Sequence, residues 1–507
     1  MFVNVVSCAV FGIDGYVVDV EVDLTSGLPT FEIVGLPDSA VKESRERVRA
    51  AIRNSGFNFP IKRITVNLAP ADTKKSGPSF DLPIAIGIMA SVGIIQSEAV
   101  PGNFFSAELS LDGNLRPVSG ILAMVLAAKK VGVKNFFVAY ENAEEASLAD
   151  GCTVYAAKTL KEIVLHLTGE PMQAYEKEEA LSFEPQMYRA DFSDVSGQKY
   201  VKRALEIAAA GNHNTLMIGP PGAGKTMLAR RMPSILPELA FGESLEITKI
   251  YSVAGHLLRR NSLVKERPFR TPHHTASHIS LTGGGRIPTP GEISLAHGGV
   301  LFLDELPEFG KRTLETMRQP LEDGCITITR AGGVCTFPSV FLLLAAMNPC
   351  PCGYLGQPRC NCSPSEISKY LDKISGPLLD RFCITIEATP VSYDELSKKG
   401  KTEESSADIK QRVERARRIQ KKRFQNENIR ENAKMTASLV NRFCKLCKDS
   451  NDFLKQVFDN LPMSARAYHK ILKVSRTIAD LEEAPDISPE HVAEAVSYRS
   501  LDRKFWG

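Results

Sequence analysis

Strict alternation of apolar and polar positions marks the start of the chain. The runs YVVDVEV and TFEIVGL put every second apolar residue on one side, as strands with one buried face do. The period then lengthens to that of a helix from Ser39 to Asn54, with Asp38 or Ser39 as the cap and Gly56 as the stop. Residues 1–168 therefore read as an α+β domain. Residues 169–189 are polar, rich in Glu and carry two prolines, the composition of a linker. From 190 to 392, short continuous apolar runs (TLMIG, GVLFLDE, VFLLLAAMN, CITIEA) alternate with helical segments. Strands buried on both faces and joined by helices predict a parallel sheet, so this part reads as an α/β core. Residues 393–507 are helical and charged, as a lid would be.

Composition narrows the class. A chain of 507 residues exceeds one hydrophobic core, so two to four domains are expected. No run of eighteen apolar residues and no N-terminal export signal is present, so a cytoplasmic protein without a membrane partner is expected. In that compartment thiols stay reduced, which turns clustered cysteines toward metal binding or catalysis. The net charge of +3 leaves nucleic acid to be bound by local patches.

One segment carries strong chemistry. In TLMIGPPGAGKTMLAR an apolar strand runs into Gly219, Pro220, Pro221, Gly222, Ala223, Gly224, Lys225 and Thr226 and then into a helix. Glycines let the loop curl so that its N–H groups point at phosphates, Lys225 reaches the β- and γ-phosphates, and the Thr226 hydroxyl ligates Mg²⁺. The run GGVLFLDELPEF supplies the acidic partners of such an ATP site: Asp304 for the Mg²⁺ shell and Glu305 to orient and polarise the attacking water.

On these motifs, residues Asp191 to Tyr498 resemble the Mg-chelatase-like branch of the AAA+ ATPases, a P-loop α/β core with a helical lid. The whole chain resembles the YifB/ComM family. The resemblance implies that Asn348, ending VFLLLAAMN, senses the γ-phosphate, that Arg381 in GPLLDRF is an arginine finger reaching a neighbouring subunit, and that Arg466 in LPMSARAYHKIL is the lid's second sensor. A finger acting on a neighbour implies a ring, in this family a homo-hexamer. Two insertions resemble those of related motors: a helix-2 insertion at about 262–298, with Arg267, Arg270 and Arg286, and a pre-sensor-1 hairpin at about 322–338 around RAGG. Both would project toward a central pore and grip single-stranded or branched DNA by its backbone, without reading sequence.

Other features have plainer readings. His273, His274 and His278 show no metal-site spacing and read as exposed or hydrogen-bonded loop residues. The basic run ARRIQKKRF reads as a solvated helix face, and Cys444 and Cys447 as helix packing. In the first domain, KKSGPSFDLPIAIGI and LDGNLRPVSGILAMVLAAKKVGV resemble the proteolytic domain of Lon, of ribosomal-S5-domain-2-like fold. Ser79 then falls at the nucleophile, but apolar Leu122 falls where the lysine base should be. A non-proteolytic domain is expected, with Ser79 serving a turn or a cap.

The expected function is an ATP-hydrolysing DNA motor, a helicase or branch-migration enzyme, which the family resemblance ties to recombination of incoming DNA during natural transformation. A MoxR-like protein-remodelling ATPase is the alternative. The ATPase subunit of magnesium chelatase, expected to lack both the first domain and the paired cysteines, and a Lon-like Ser-Lys protease stand further off. Four of the eleven cysteines, Cys350, Cys352, Cys360 and Cys362, form two Cys-x-Cys pairs directly after Asn348. They could close a structural Zn²⁺ site, since four thiolates leave no open position.

Overall fold

The computed structural model describes residues 2–176, 190–257, 263–285, 288–330, 333–390, 403–460 and 464–506. Most of the expected linker, Arg286, the tip of the RAGG hairpin and the start of the lid lie outside them.

The first domain is a seven-stranded mixed sheet. Its spine is the antiparallel pair Phe2–Phe11 and Asp14–Thr25, whose alternating burial follows the alternating sequence. The helix Ser39–Asn54 begins where the Asp38 carboxylate accepts the Val41 N–H at 2.9 Å, and the chain leaves it through Gly56 at φ +88°. Asp81 is fully buried, bonded to Ser44, to the Leu109 N–H and to the Arg47 guanidinium, whose Nε lies 2.7 Å away. A buried carboxylate with this many donors pins helix to sheet. The domain's last helix is Leu160–Thr168.

The second unit is a five-stranded sheet, in order Phe269–Arg270, Val300–Leu303, Leu342–Met347, Thr215–Ile218, Ile384–Glu387, with every pairing parallel. The three central strands are buried at every position, as their unbroken apolar runs require. Thr215–Ile218 lies between Leu342–Met347 and Ile384–Glu387, and because the central strands are parallel, the residues that follow their C-terminal ends meet on one side of the sheet.

The lid is continuous with this core. Ile409, Val413 and Ala416 of the helix Ser406–Arg423 and Ile471, Val474 and Ile478 of Ala465–Leu481 share one apolar cluster with Ala204, Leu205 and Ala208 of the helix Lys199–Gly211. The basic run is not a purely solvated face. Within it Arg417 pairs with Glu431 and Arg423 with the buried Asp480, and just before it on the same helix Arg412 pairs with Glu206 and Glu404 and Arg415 with Glu483. Arg417 and Arg423 are thus satisfied by single acids of the lid, while Arg418, Lys421 and Lys422 stay exposed. Cys444 is buried in the same cluster, whereas Cys447 stands before the helix Lys448–Asn460, where its sulfur accepts the Ser450 N–H at 3.5 Å.

The first domain docks on the core. Leu122, Leu148 and Leu263 bury one another across the junction, each contributing about 1.5–3 kcal/mol relative to exposure. Glu145 accepts the Leu122 N–H at 2.9 Å and the hydroxyl of Ser252, and burial pushes its carboxyl up to about 7. Gly12, in the turn between the first two strands, sits on Cys335 of the hairpin, and Phe11 lies against Gly333. Ser79 lies inside the short 3₁₀ turn Pro78–Phe80, so of the two expected roles it takes the turn, while the capping position there is held by Gly77.

Candidate nucleotide site

The loop after Thr215–Ile218 curls through Gly222 and Gly224, both at φ +80°, a conformation that side chains rarely adopt. Gly219 is required for a second reason: a Cβ there would stand 2.2 Å from the Ala388 carbonyl oxygen. The loop delivers the chain into the helix Lys225–Ile235. The Lys225 ammonium turns back and donates to the carbonyls of Gly219 at 2.7 Å and Pro220 at 3.0 Å, and to Asn348 Oδ1 at 3.3 Å. Burial holds this ammonium below the usual lysine range, against the opposing pull of Asp304 and Glu305. Gln198, itself at φ +53°, donates from Nε2 to the Ala223 carbonyl at 3.2 Å and to that of Thr389, bracing the loop from outside.

Asp304 follows the strand Val300–Leu303, and its Oδ2 accepts the Thr226 hydroxyl at 2.6 Å. Hydroxyl and carboxylate thus already face each other as two ligands of one small hard cation would. Glu305 takes the left-handed conformation, φ +52°, with its N–H bonded to Asp304 Oδ1 at 3.0 Å. That turn points successive acids in different directions. The Glu305 side chain remains 57 % exposed, and its Oε2 lies 3.3 Å from His274 Nδ1.

These residues fit a magnesium nucleotide. Loop amides and Lys225 would hold its phosphates, and Thr226 and Asp304 the metal. When bound, the nucleotide supplies the phosphoanhydride to be cleaved, while Glu305 is placed to orient water and Asn348 stands 3.3 Å from the lysine it would work beside. Gly219 to Thr226, Asp304, Glu305 and Asn348 therefore meet in one place.

The two arginines do not join them. Arg381 donates from Nη2 to Glu322, and Arg466 Nη1 lies 3.2 Å from Asp380 Oδ2. Adjacent positions, Asp380 and Arg381, thus bind one arginine and present another.

The helix-2 insertion requires a correction. Arg270 makes two 2.7 Å bonds to Glu292, and Arg267 bridges the carbonyls of Pro237, Gly298 and Glu238. Both brace the fold where the sequence placed them on a DNA-gripping loop: Arg267 ties together backbone carbonyls of two loops, and Arg270 ties its short strand to the carboxylate of Glu292. Arg330 of the hairpin is exposed and stands beside Gly284 of the insertion.

His274 is the residue the sequence reading missed, since nothing in TPHHTASH reveals that one histidine faces an acid some thirty positions on. Tyr370 is another. It accepts the Asn348 N–H, and burial pushes its phenol up.

The four cysteine sulfurs lie within 4.8 Å of one another, with Cys350 to Cys352 at 3.4 Å, Cys352 to Cys360 at 3.6 Å and Cys350 to Cys360 at 3.9 Å. Thiolates about 2.3 Å from a single zinc stand about 3.8 Å apart along the edges of a tetrahedron, so the spacing fits one such ion. Among the described residues no other cluster of this kind occurs, and the histidines form none. The Tyr354 N–H draws the Cys352 thiol down to about 6, whereas burial pushes the neighbouring Cys350 thiol up to about 12. Gly353, at φ +85°, presses on Pro221 so closely that a Cβ would come within 2.6 Å of it. The cysteine loop is therefore a wall of the phosphate loop.

Comparison with known proteins agrees with this geometry. The family model described as magnesium chelatase, subunit ChlI, matches residues 191–396, its C-terminal model matches 403–499, and the model described as subunit ChlI of Mg-chelatase matches 20–142. That last match means the first domain does not set this chain apart from proteins of that description, contrary to the sequence reading. The competence protein ComM of Haemophilus influenzae is 46% identical over 98% of this chain and 97% of its own length. The uncharacterised protein YifB of Escherichia coli is 44% identical over 98% and 96%. Lon protease 2 of Bacillus subtilis is 30% identical over 135 residues, 26% of this chain. With a phosphate loop, paired acids and parallel sheet in place, and relatives aligned from end to end, the chain belongs to the YifB/ComM family of Mg-chelatase-like AAA+ proteins.

Proposed function

We propose that this protein is an ATP-hydrolysing, ring-forming motor, a homo-hexamer that moves single-stranded or branched DNA through its pore and serves a ComM-like role in competence. One observation carries the reading: the phosphate loop and paired acids, with Thr226 and Asp304 already bonded at 2.6 Å, belong to the same sheet whose next connection forms the Arg330 hairpin. Hydrolysis at one end of the strands can thereby displace a loop that carries an exposed cation. Arg381, bonded to Glu322 and not to its own phosphate loop, would serve a neighbouring subunit's nucleotide, and Arg466, beside Asp380, would be the lid's second sensor. A zinc ion held by Cys350, Cys352, Cys360 and Cys362 makes the wall against Pro221 rigid.

The test is hydrolysis and strand movement by purified protein on forked and three-strand DNA. Wild-type protein moves the branch; Glu305→Gln binds ATP and assembles but does not. If DNA neither stimulates hydrolysis nor is rearranged, protein remodelling replaces the DNA reading.

A further inference from the structure

Glu322 is the penultimate residue of the helix Arg318–Asp323, and Gly324, at φ +67°, turns the chain directly into the hairpin strand Cys325–Arg330. The partner of Glu322 is Arg381. The backbone of Arg381 is held fast: its carbonyl accepts from Asn214 Nδ2 at 3.1 Å, while Asn214 Oδ1 accepts the Leu343 N–H at 3.0 Å and its own carbonyl the Cys383 N–H at 2.8 Å. Only the side chain can change partner. That side chain is 14 % exposed against 57 % for Glu322, and its Nε is buried with no acceptor. A guanidinium is a planar fork able to bind an anion through two nitrogens, and here the fork is only partly used.

We propose that Glu322 is the positioning residue of Arg381, a resting tether that holds the guanidinium until a neighbouring subunit's γ-phosphate takes it. The inference rests on Arg381 acting as the finger. A terminal phosphate carries more charge than a carboxylate and can occupy both prongs of the fork, so it displaces a half-exposed glutamate. Because Glu322 sits one residue-pair from the hairpin, giving up Arg381 frees the hairpin root. The state of one subunit's nucleotide is then felt at the next subunit's hairpin through a single exchange of partners.

Steady-state hydrolysis by the full-length protein tests this, with KM and kcat separated. Glu322→Gln removes the charge but keeps the shape, so KM for ATP falls about two- to fivefold, the bias an exposed pair of this kind supplies, while kcat holds. Glu322→Asp keeps the charge and returns KM toward wild type, a rescue that a merely structural role would not show. Hydrogen exchange adds a second reading. In wild type, a non-hydrolysable ATP analogue speeds exchange across residues 325–338; in Glu322→Gln exchange is fast without it. A wild-type KM in Glu322→Gln, or hairpin exchange in wild type that ignores nucleotide, overturns the tether. Arg381→Ala separates the two readings: loss of hydrolysis there with a wild-type Glu322→Gln sinks the tether alone, whereas wild-type hydrolysis by Arg381→Ala sinks the finger.

Discussion

His274 Nδ1 lies 3.3 Å from Glu305 Oε2, so the carboxylate proposed to orient water is itself held by an imidazole from the helix-2 insertion. Without that contact a half-exposed carboxylate can rotate, and misplacement of a water-orienting group lowers the rate while leaving phosphate binding alone. His274→Ala is expected to lower kcat for ATP about tenfold with KM within about twofold. Steady-state kinetics check it, and a raised KM with unchanged kcat would show instead that the imidazole serves nucleotide binding.

The cysteine loop is expected to matter to the nucleotide because Gly353 rests on Pro221. Purified wild-type protein should carry one zinc per chain under reducing conditions, and the Cys360→Ser/Cys362→Ser protein none. Loss of the ion loosens the wall, so KM for ATP rises several-fold. Metal analysis beside nucleotide titration decides; wild-type protein without metal would end the zinc assignment.

Glu145 gives the domain junction a pH dependence. Its carboxyl is raised from 4.5 to about 7 by burial, so the unfolded chain gives up this proton before the folded one does. The contribution of Glu145 is most favourable below about pH 4.5 and declines as pH rises toward 7, by about 3 kcal/mol in total for a shift of this size. Glu145→Gln, which keeps the oxygen facing Ser252 and Leu122, should remove the decline. Its melting temperature relative to wild type should climb between pH 5 and pH 8; a constant difference would contradict the assignment.

Leu122 is fully buried against Leu148 and Leu263. Leu122→Lys, which restores the residue type a Ser-Lys peptidase needs, would bury an unpaired ammonium and should destabilise the protein by more than about 3 kcal/mol without creating peptidase activity. Ser79→Ala should hydrolyse ATP as wild type does. Denaturant unfolding and a casein cleavage assay read both variants, and any cleavage lost with Ser79 would reverse the reading of the first domain.

Local pattern alone determined a great deal. Alternation marked the second and third strands of the first domain, unbroken apolar runs marked the parallel core, and the run Gly219 to Thr226 and the pair Asp304 and Glu305 each announced a part of the nucleotide site, because each of these signals lies within a few residues of chain. Only tertiary structure decided what the long charged side chains do. Arg267 and Arg270 looked like DNA ligands and are braces; Arg417 and Arg423 looked like a solvated face and are paired; His274 looked like any exposed or hydrogen-bonded loop residue and meets Glu305. A flexible cation takes whichever acceptor the fold brings near, and that acceptor usually comes from a distant part of the chain, with no trace in the residues beside it.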